Sequence, residues 1–212
     1  MIRILATGFT PFGGHAANPT EKLVAALNAQ GGERLSVPGA EIFPRLLRTH
    51  YRLAEQDFDR CLAEVKPQAV VGFGLNYSAD EIRPERIAVN FDDGEEDGAH
   101  VTRLIAEDGP VGYFSTLPAE AMVADLAAAG LPAKASNHAG AYVCNHLFYH
   151  ARHRFERERS PIAVGFVHVP PLPEMIKPED AARAGLPLDR LVAAAQTVFA
   201  TIARHLSTRI AA

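Results

Sequence analysis

Two cysteines are the first candidates for covalent chemistry, and their surroundings in the sequence differ. Cys144 lies in the run AGAYVCNHLFY, residues 139 to 149, at the predicted start of a helix. A helix start carries partial positive charge and free N–H groups, which lower the pKa of a thiol and bind an oxyanion. Cys144 is therefore a candidate nucleophile, and a buried structural thiol is the alternative. Cys61 falls in mid-helix on an apolar face, where nothing would stabilise a thiolate.

A cysteine nucleophile needs a base, and nine histidines compete for that role. His168 is the best candidate because it lies near the end of the apolar run Ile162–Val169, a predicted strand. Ligands of open α/β sheets bind at the carboxyl ends of the strands. A hydrogen-bonded core histidine is an equal alternative. His146 is only two residues from Cys144 and would point to a different helix face, so it is a poor candidate.

Three histidines of the same predicted helix share one side at spacings of four and three, as metal ligands would: His146, His150 and His153. No cysteine or carboxylate accompanies them at ligand spacing. We therefore interpret them as a polar or interface face of the helix, with metal binding as the alternative.

A glycine-punctuated loop follows the first predicted strand, with the sequence TGFTPFGG at residues 7 to 14. It lacks the spacing of a dinucleotide-binding or P-loop motif. Phe9 and Phe12 indicate an apolar ligand pocket instead, and ordinary core packing is an equal alternative.

These residues lie on a chain in which apolar strands alternate with helices, which is typical of an α/β domain with a mostly parallel sheet. The predicted strands are Ile2–Ala6, Glu41–Leu47, Ala69–Gly74, Arg86–Asn90, Ala133–Ser136 and Ile162–Val169. The predicted helices are Pro19–Gln30, Arg52–Glu64, Pro118–Gly130, Cys144–Phe155 and Leu186–Leu206. Asn18 is the predicted N-cap of the first helix. The acidic segment Asp92–Gly98 is predicted to be a solvated loop without chemistry.

Length and charge exclude several classes of protein. A chain of 212 residues that is 48% hydrophobic can bury a core, and without repeats or linkers we expect one domain, 1–212. Its 21 basic against 25 acidic residues leave no positive surplus for nucleic acid or an anionic membrane. Its apolar runs fall short of the roughly 20 residues that cross a bilayer. The N-terminus lacks an export pattern and there are only two cysteines, so we predict a cytoplasmic protein.

Five blocks of the sequence, in order along nearly the whole chain, resemble the type I pyroglutamyl peptidases, also called pyrrolidone-carboxylate peptidases. These blocks are Thr7–Gly14 with Asn18–Pro19, Pro84–Asn90, Tyr113–Pro118, Val143–Tyr149, and Phe166–Pro170 with Leu172–Glu174. The resemblance implies a single-domain, three-layer α/β/α sandwich with a twisted, mostly parallel sheet. It also implies a cysteine peptidase that removes an N-terminal pyroglutamyl residue from peptides.

The same resemblance implies a Cys-His-Glu triad. Cys144 would be the nucleophile, His168 its base and then acid, and Glu85 the carboxylate that orients the imidazole. This agrees with the general requirement that a third group hold a catalytic histidine in the right tautomer. Taken alone, Glu85 would be interpreted as a surface charge.

The resemblance further assigns the substrate slot and the partners. Phe9, Phe12 and the backbone near Tyr142 and Val143 are implied as an apolar slot for the uncharged lactam ring. No metal and no cofactor are implied. The implied partners are peptides with N-terminal pyroglutamate and further copies of the chain, in a homodimer or homotetramer.

Two loops depart from the family pattern. Leu75 and Ala79 stand where members usually carry glutamine and arginine, and Asp93–Gly98 replaces a run with an arginine and an apolar pocket residue. We therefore expect weaker binding of the lactam than in a typical member. Two alternatives stay open: a related amidase acting on another cyclic or small acyl group, and a non-catalytic lactam-binding protein of the same fold.

Overall fold

The strands and helices follow the alternation that the sequence predicts. The structure, a computed structural model, describes residues 1–14 and 17–211, the side chains of 209–211 excepted. The strands are β1 (Ile2–Phe9), β2 (Leu35–Val37), β3 (Ala40–Leu47), β4 (Ala69–Leu75), β5 (Arg83–Glu85), β6 (Ile87–Val89), β7 (Asp92–Glu96), β8 (Ala99–Arg103), β9 (Gly112–Phe114) and β10 (Ala163–Val169). The helices are α1 (Pro19–Gly31), α2 (Tyr51–Val65), α3 (Ala119–Ala128), α4 (Val143–Arg157) and α5 (Leu188–Ala211).

The central sheet has the strand order β2-β3-β1-β4-β10-β5. Its inner strands run parallel, since β1 pairs with β3 and β4, and β4 pairs with β10. The outer strands β2 and β5 are antiparallel to their neighbours. The register places Gly74 of β4 beside His168 of β10, and Phe166 of β10 beside Glu85 of β5. Residues from three strands therefore meet at one edge of the sheet.

Helices cover both faces of this sheet, which confirms the three-layer α/β/α sandwich. Strand β1 shows the reason, because its successive side chains point to opposite faces. Ile4 and Ala6 pack into the core formed with α1, α3 and α5. Leu5, between them, packs into the core formed with α2 and α4. Both faces are thus apolar, as expected for parallel strands that are covered on two sides.

Local signals set the starts and faces of the first two helices as predicted. The Asn18 side chain accepts a hydrogen bond from the Thr20 N–H at 3.0 Å, and a proline follows at the first helical position. In α2, the predicted apolar face is buried: Ala54, Phe58, Cys61 and Val65.

One strand prediction is confirmed in position and another is wrong. The predicted strand Arg86–Asn90 contains β6, but the chain leaves the central sheet after Glu85 and β6 pairs with β9 in a separate two-stranded sheet. Between β5 and β6, the Arg86 N–H donates to Ser136 and the Arg86 carbonyl accepts from Ser115. The segment Ala133–Ser136 is not a strand. It makes only isolated bridges, at Ala133 and Ser136.

The acidic segment is a β-hairpin rather than a solvated loop. Strands β7 and β8 pair across Asp97 and Gly98, which both have positive φ, 51° and 78°. A two-residue turn with positive φ at both positions matches the right-handed twist of the flanking strands, and Asp-Gly is a preferred pair for it. Asp92, at the start of β7, is fully buried. Among the described helices, none combines the length and the apolar character needed to cross a lipid bilayer.

Candidate active site

Cys144 is the second residue of α4, which begins at Val143 after the N-cap Tyr142. No side chain caps this helix start, so the first-turn N–H groups stay available to an anion. The thiol is partly exposed. It approaches β4 so closely that a Cβ at Gly74 would lie 2.6 Å from its Sγ atom. Glycine at the end of β4 therefore makes room for the sulfur.

His168 joins this cysteine to a buried carboxylate. Its Nδ1 atom lies 2.8 Å from Oε1 of Glu85, and Cys144 is close enough to the ring to raise the pKa of the imidazole. Because Glu85 engages Nδ1, Nε2 is the ring nitrogen left for the sulfur. His168 is 5% exposed and Glu85 is 1% exposed, so water screens this contact little. The structure thus brings together the three residues that the sequence resemblance implies as a triad.

The electrostatics of the three residues favour a protonated imidazole. Burial lowers the pKa of His168, but the hydrogen bonds with Cys144 and Glu85 outweigh it and raise the pKa to about 9. The second oxygen of Glu85, Oε2, has no hydrogen-bond partner in the described part of the chain. The charge of this carboxylate therefore acts chiefly on the imidazole ring.

The other thiol lies in a different environment. Cys61 is buried on α2, and burial raises the pKa of its thiol to about 11. A thiol with that pKa is protonated at neutral pH and reacts slowly.

A cavity of about 310 Å³ opens beside Cys144 and His168. It is lined by Phe12, Leu75, Asn76, Tyr77, His138, Ala139, Gly140, Tyr142, Cys144 and His168. Such a volume falls at the lower end of small-molecule sites. A largely apolar wall with a few polar groups suits a small, uncharged ring.

Two of the four predicted slot residues line this cavity. Phe12 and Tyr142 do so, with ring centroids 5.8 Å apart. Phe9 is instead buried in the core, and so is the side chain of Val143, whose implied contribution to the slot is that of its backbone. Phe9 is the last residue of β1, and its ring centroid lies 6.2 Å from that of Phe166. The period of two along β1 directs the Phe9 side chain into the layer of α2 and α4.

Sequence reasoning missed Tyr77 as a cavity residue, and the reason is a long-range contact. Arg183 donates hydrogen bonds to the carbonyls of Tyr77 and Ala79 and to the Asp80 carboxylate. The Tyr77 hydroxyl donates to Asp180 at 3.0 Å. These partners are about a hundred residues away along the chain, so no local pattern could have predicted them.

The residues that depart from the family pattern differ in where they lie relative to the cavity. Leu75 lines the cavity, whereas Ala79 is fully buried and does not. Glu96 does not line the cavity, and its carboxylate accepts a hydrogen bond from the Tyr51 N–H at 2.6 Å, at the start of α2. The hairpin instead supports the cavity wall, since a Cβ at Gly94 would lie 2.5 Å from the ring of Tyr142.

The three histidines of α4 contact acidic and tyrosine side chains. His146 is buried, with Nδ1 2.9 Å from Asp92 and Nε2 3.0 Å from Glu55. Nδ1 of His150 lies 3.0 Å from the same Glu55, while His153 bonds with a tyrosine hydroxyl. Within the described residues, no three histidine, cysteine or acidic side chains are arranged to hold a metal ion. This cluster joins α4 to α2 and to the hairpin.

Known proteins with similar sequences and structures identify the family. A family model described as pyroglutamyl peptidase matches residues 2–205. The pyrrolidone-carboxylate peptidase of Oceanobacillus iheyensis is 40% identical over 80% of this chain and 84% of that protein. The one from Cupriavidus taiwanensis is 38% identical over 99% of this chain and 95% of that protein.

Solved structures agree with these sequence matches. The pyrrolidone carboxyl peptidase from Thermococcus litoralis superposes with a TM-score of 0.90 at 31% identity, covering 99% of this chain and 96% of that one. Pyroglutamyl peptidase I from Bacillus amyloliquefaciens gives a TM-score of 0.88 at 30% identity, covering 97% and 98%. This chain belongs to the pyroglutamyl peptidase family.

Proposed function

We propose that this protein is a cysteine-type peptidase that removes an N-terminal pyroglutamyl residue from peptides, with Cys144, His168 and Glu85 as its catalytic triad. The observation that carries the proposal is the series of contacts from the buried Glu85 through His168 to the partly exposed Cys144, beside a cavity of lactam size. A nucleophile, its base and an orienting carboxylate are the parts that acyl transfer needs.

The first half of the reaction forms an acyl-enzyme. With the proton of the Cys144 thiol already held on Nε2 of His168, the Cys144 thiolate attacks the pyroglutamyl carbonyl carbon. The negative oxygen that develops lies at the start of α4, where the Cys144 N–H and the helix dipole stabilise it. His168 then donates its proton to the leaving nitrogen. The C–N bond breaks, the shortened peptide departs, and a thioester remains.

The second half reverses the role of the imidazole. His168 takes a proton from water, and the resulting hydroxide attacks the thioester carbon. Collapse of the tetrahedral intermediate breaks the C–S bond, releases pyroglutamate and returns the sulfur as thiolate. Throughout, the Glu85 carboxylate stabilises the imidazolium and keeps Nδ1 protonated, so that Nε2 faces the reacting atoms.

Binding of the lactam rests on the cavity wall. Phe12 and Tyr142 provide flat apolar faces for the ring, and their partial burial keeps water away from it. Leu75 cannot hydrogen-bond to the lactam. We expect Leu75→Gln to lower KM for pyroglutamyl substrates, because an amide on the cavity wall would pair with the lactam carbonyl. Arginine at position 79 would not help, since Ala79 has no exposed surface.

Turnover of pyroglutamyl 2-naphthylamide, followed by the fluorescence of the released amine, tests the proposal. We expect the wild type to cleave it, Cys144→Ser to lose activity and Cys61→Ser to retain it. Cleavage of a different cyclic or small acyl amide in its place would favour the related amidase. Binding of pyroglutamate without turnover of any amide would favour the non-catalytic binding protein.

We also propose that residues 1–212 form one domain that assembles as a homodimer or homotetramer in the cytoplasm. Both apolar cores pack on one continuous sheet, which supports a single domain. Val111 and Phe114 are 88% and 71% exposed, beside an apolar cavity lined partly by Phe91 and Leu104, and such a patch supports self-association. A partly exposed nucleophilic thiol persists best in a reducing compartment. Light scattering of the wild type and of Val111→Asp would test the assembly.

A further inference from the structure

His138 lines the cavity beside Cys144 but has no part in the triad. Its Nδ1 atom accepts a hydrogen bond from the Gly140 N–H at 2.9 Å. In the neutral ring, an accepting Nδ1 requires that Nε2 carry the proton. Nε2 has no hydrogen-bond partner among the residues that the structure describes. The cavity wall thus holds an oriented N–H donor.

The order of the sheet shows on which side of the cysteine this donor lies. Phe12 follows β1, and Cys144 lies against Gly74 at the end of β4. His138 comes two residues after Ser136, which bridges to Glu85 on β5. Because the strands run β1-β4-β10-β5, the reacting sulfur lies between the phenylalanine and the histidine.

The geometry of an acyl group extends this placement to the substrate. Its carbonyl carbon bears the lactam ring on one side and the scissile nitrogen on the other. If the ring lies on Phe12, the leaving peptide points toward His138. The first residue of that peptide carries a backbone carbonyl, which accepts hydrogen bonds.

We infer that His138 is a specificity-determining residue for the leaving group: its Nε2–H donates to a backbone carbonyl of the peptide that follows the pyroglutamyl residue. The inference rests on the proposed function. It assigns the substrate class as true peptides, in preference to aryl amides that have no carbonyl beyond the scissile bond. A neutral hydrogen bond of this kind is worth about 3- to 10-fold in kcat/KM.

His138→Asn separates this contact from support of the loop. Asparagine places Oδ1 where histidine has Nδ1, and an Asn side chain readily accepts from the N–H two residues on. The bond to Gly140 is therefore kept, while the Nε2–H is lost. His205→Asn, on α5 away from the cavity, is the matched control.

The experiment compares kcat/KM for pyroglutamyl-alanine amide and for pyroglutamyl 2-naphthylamide, whose leaving group offers no carbonyl. We expect His138→Asn to lower the value for the peptide by about 3- to 10-fold and to leave the naphthylamide value unchanged. His138→Ala should lower both, since it also removes the bond to Gly140. His205→Asn should change neither.

Two outcomes would overturn the inference, and a third would refute the proposed function. Equal losses on both substrates in His138→Asn would make the residue a support of the loop alone. No loss on either would remove it from the site. A wild type that cleaves neither substrate would instead refute the proposed function on which the inference rests, a result that the variants are not needed to obtain.

Discussion

Replacing Glu85 by glutamine keeps the shape of the side chain and removes its charge. In the wild type, Oε1 lies 2.8 Å from Nδ1 of His168, and the pKa of this imidazole is about 9 against an ordinary 6.5. That difference corresponds to about 3 kcal/mol in favour of the imidazolium. Glu85 shares this effect with the sulfur of Cys144, and both act against burial. We therefore expect Glu85→Gln to lower kcat/KM by roughly 10- to 100-fold.

The pH dependence of kcat/KM distinguishes this effect from a general loss of structure. A group with a raised pKa keeps its proton until the pH rises through that value, so the wild-type profile should fall near pH 9. Without the carboxylate charge the pKa of His168 falls, and the basic limb should move to lower pH. The assay is turnover of pyroglutamyl 2-naphthylamide from about pH 5 to about pH 10. This range spans the ordinary pKa values of histidine and cysteine.

Glu81→Gln is the matched control for this substitution. Glu81 lies shortly before Glu85 in the chain. Its carboxylate pairs with Arg83 at 3.0 Å, not with the imidazole. We expect its variant to keep the wild-type profile. A Glu85→Gln enzyme with wild-type kcat/KM and an unmoved basic limb would refute the reasoning. Circular dichroism of both variants shows whether the fold is kept.

Three further predictions concern the sulfur and the helix that carries it. Gly74→Ala should lower kcat/KM by roughly 100-fold, because the new methyl group displaces the Cys144 sulfur. Gly72→Ala is the control: its methyl group crowds the ring of Phe166 but not the sulfur, so it should lower kcat/KM less, and equal losses would contradict this account. Iodoacetamide at neutral pH should label Cys144 and spare Cys61, whose pKa of about 11 keeps it protonated, and mass spectrometry showing equal labelling would contradict the assignment. His146→Gln should lower the free energy of unfolding at pH 6 by about 3 kcal/mol. Burial lowers the pKa of this imidazole, but its two carboxylate partners raise it more. The stabilisation is therefore present below about pH 6.5 and declines as the pH rises through the folded pKa. Denaturant melts in which the free energies of unfolding of wild type and variant differ by the same amount from about pH 6 to about pH 9 would refute this.

The class of fold and the types of residue at the site are predictable from local patterns in the chain. Alternation along β1, the Asn18 cap and the apolar face of α2 are set by interactions within a few residues of each other. Cys144 at a helix start and His168 near a strand end were accessible to the same kind of reasoning. Each position left two interpretations open, because a local pattern does not show which side chains lie opposite.

Which groups act together depends on contacts between distant parts of the chain. Glu85 resembles a surface charge until β5 pairs with β10 and buries it against a histidine 83 residues further along the chain. The same holds for Tyr77, which Arg183 and Asp180 hold at the cavity, and for Phe9, which the pleat of β1 turns into the core. Contacts of this kind depend on the packing of distant elements, whereas propensity, periodicity and capping depend on neighbours in sequence. Local patterns could therefore predict the elements of this protein, but only the folded chain decides which of its charges are buried and paired.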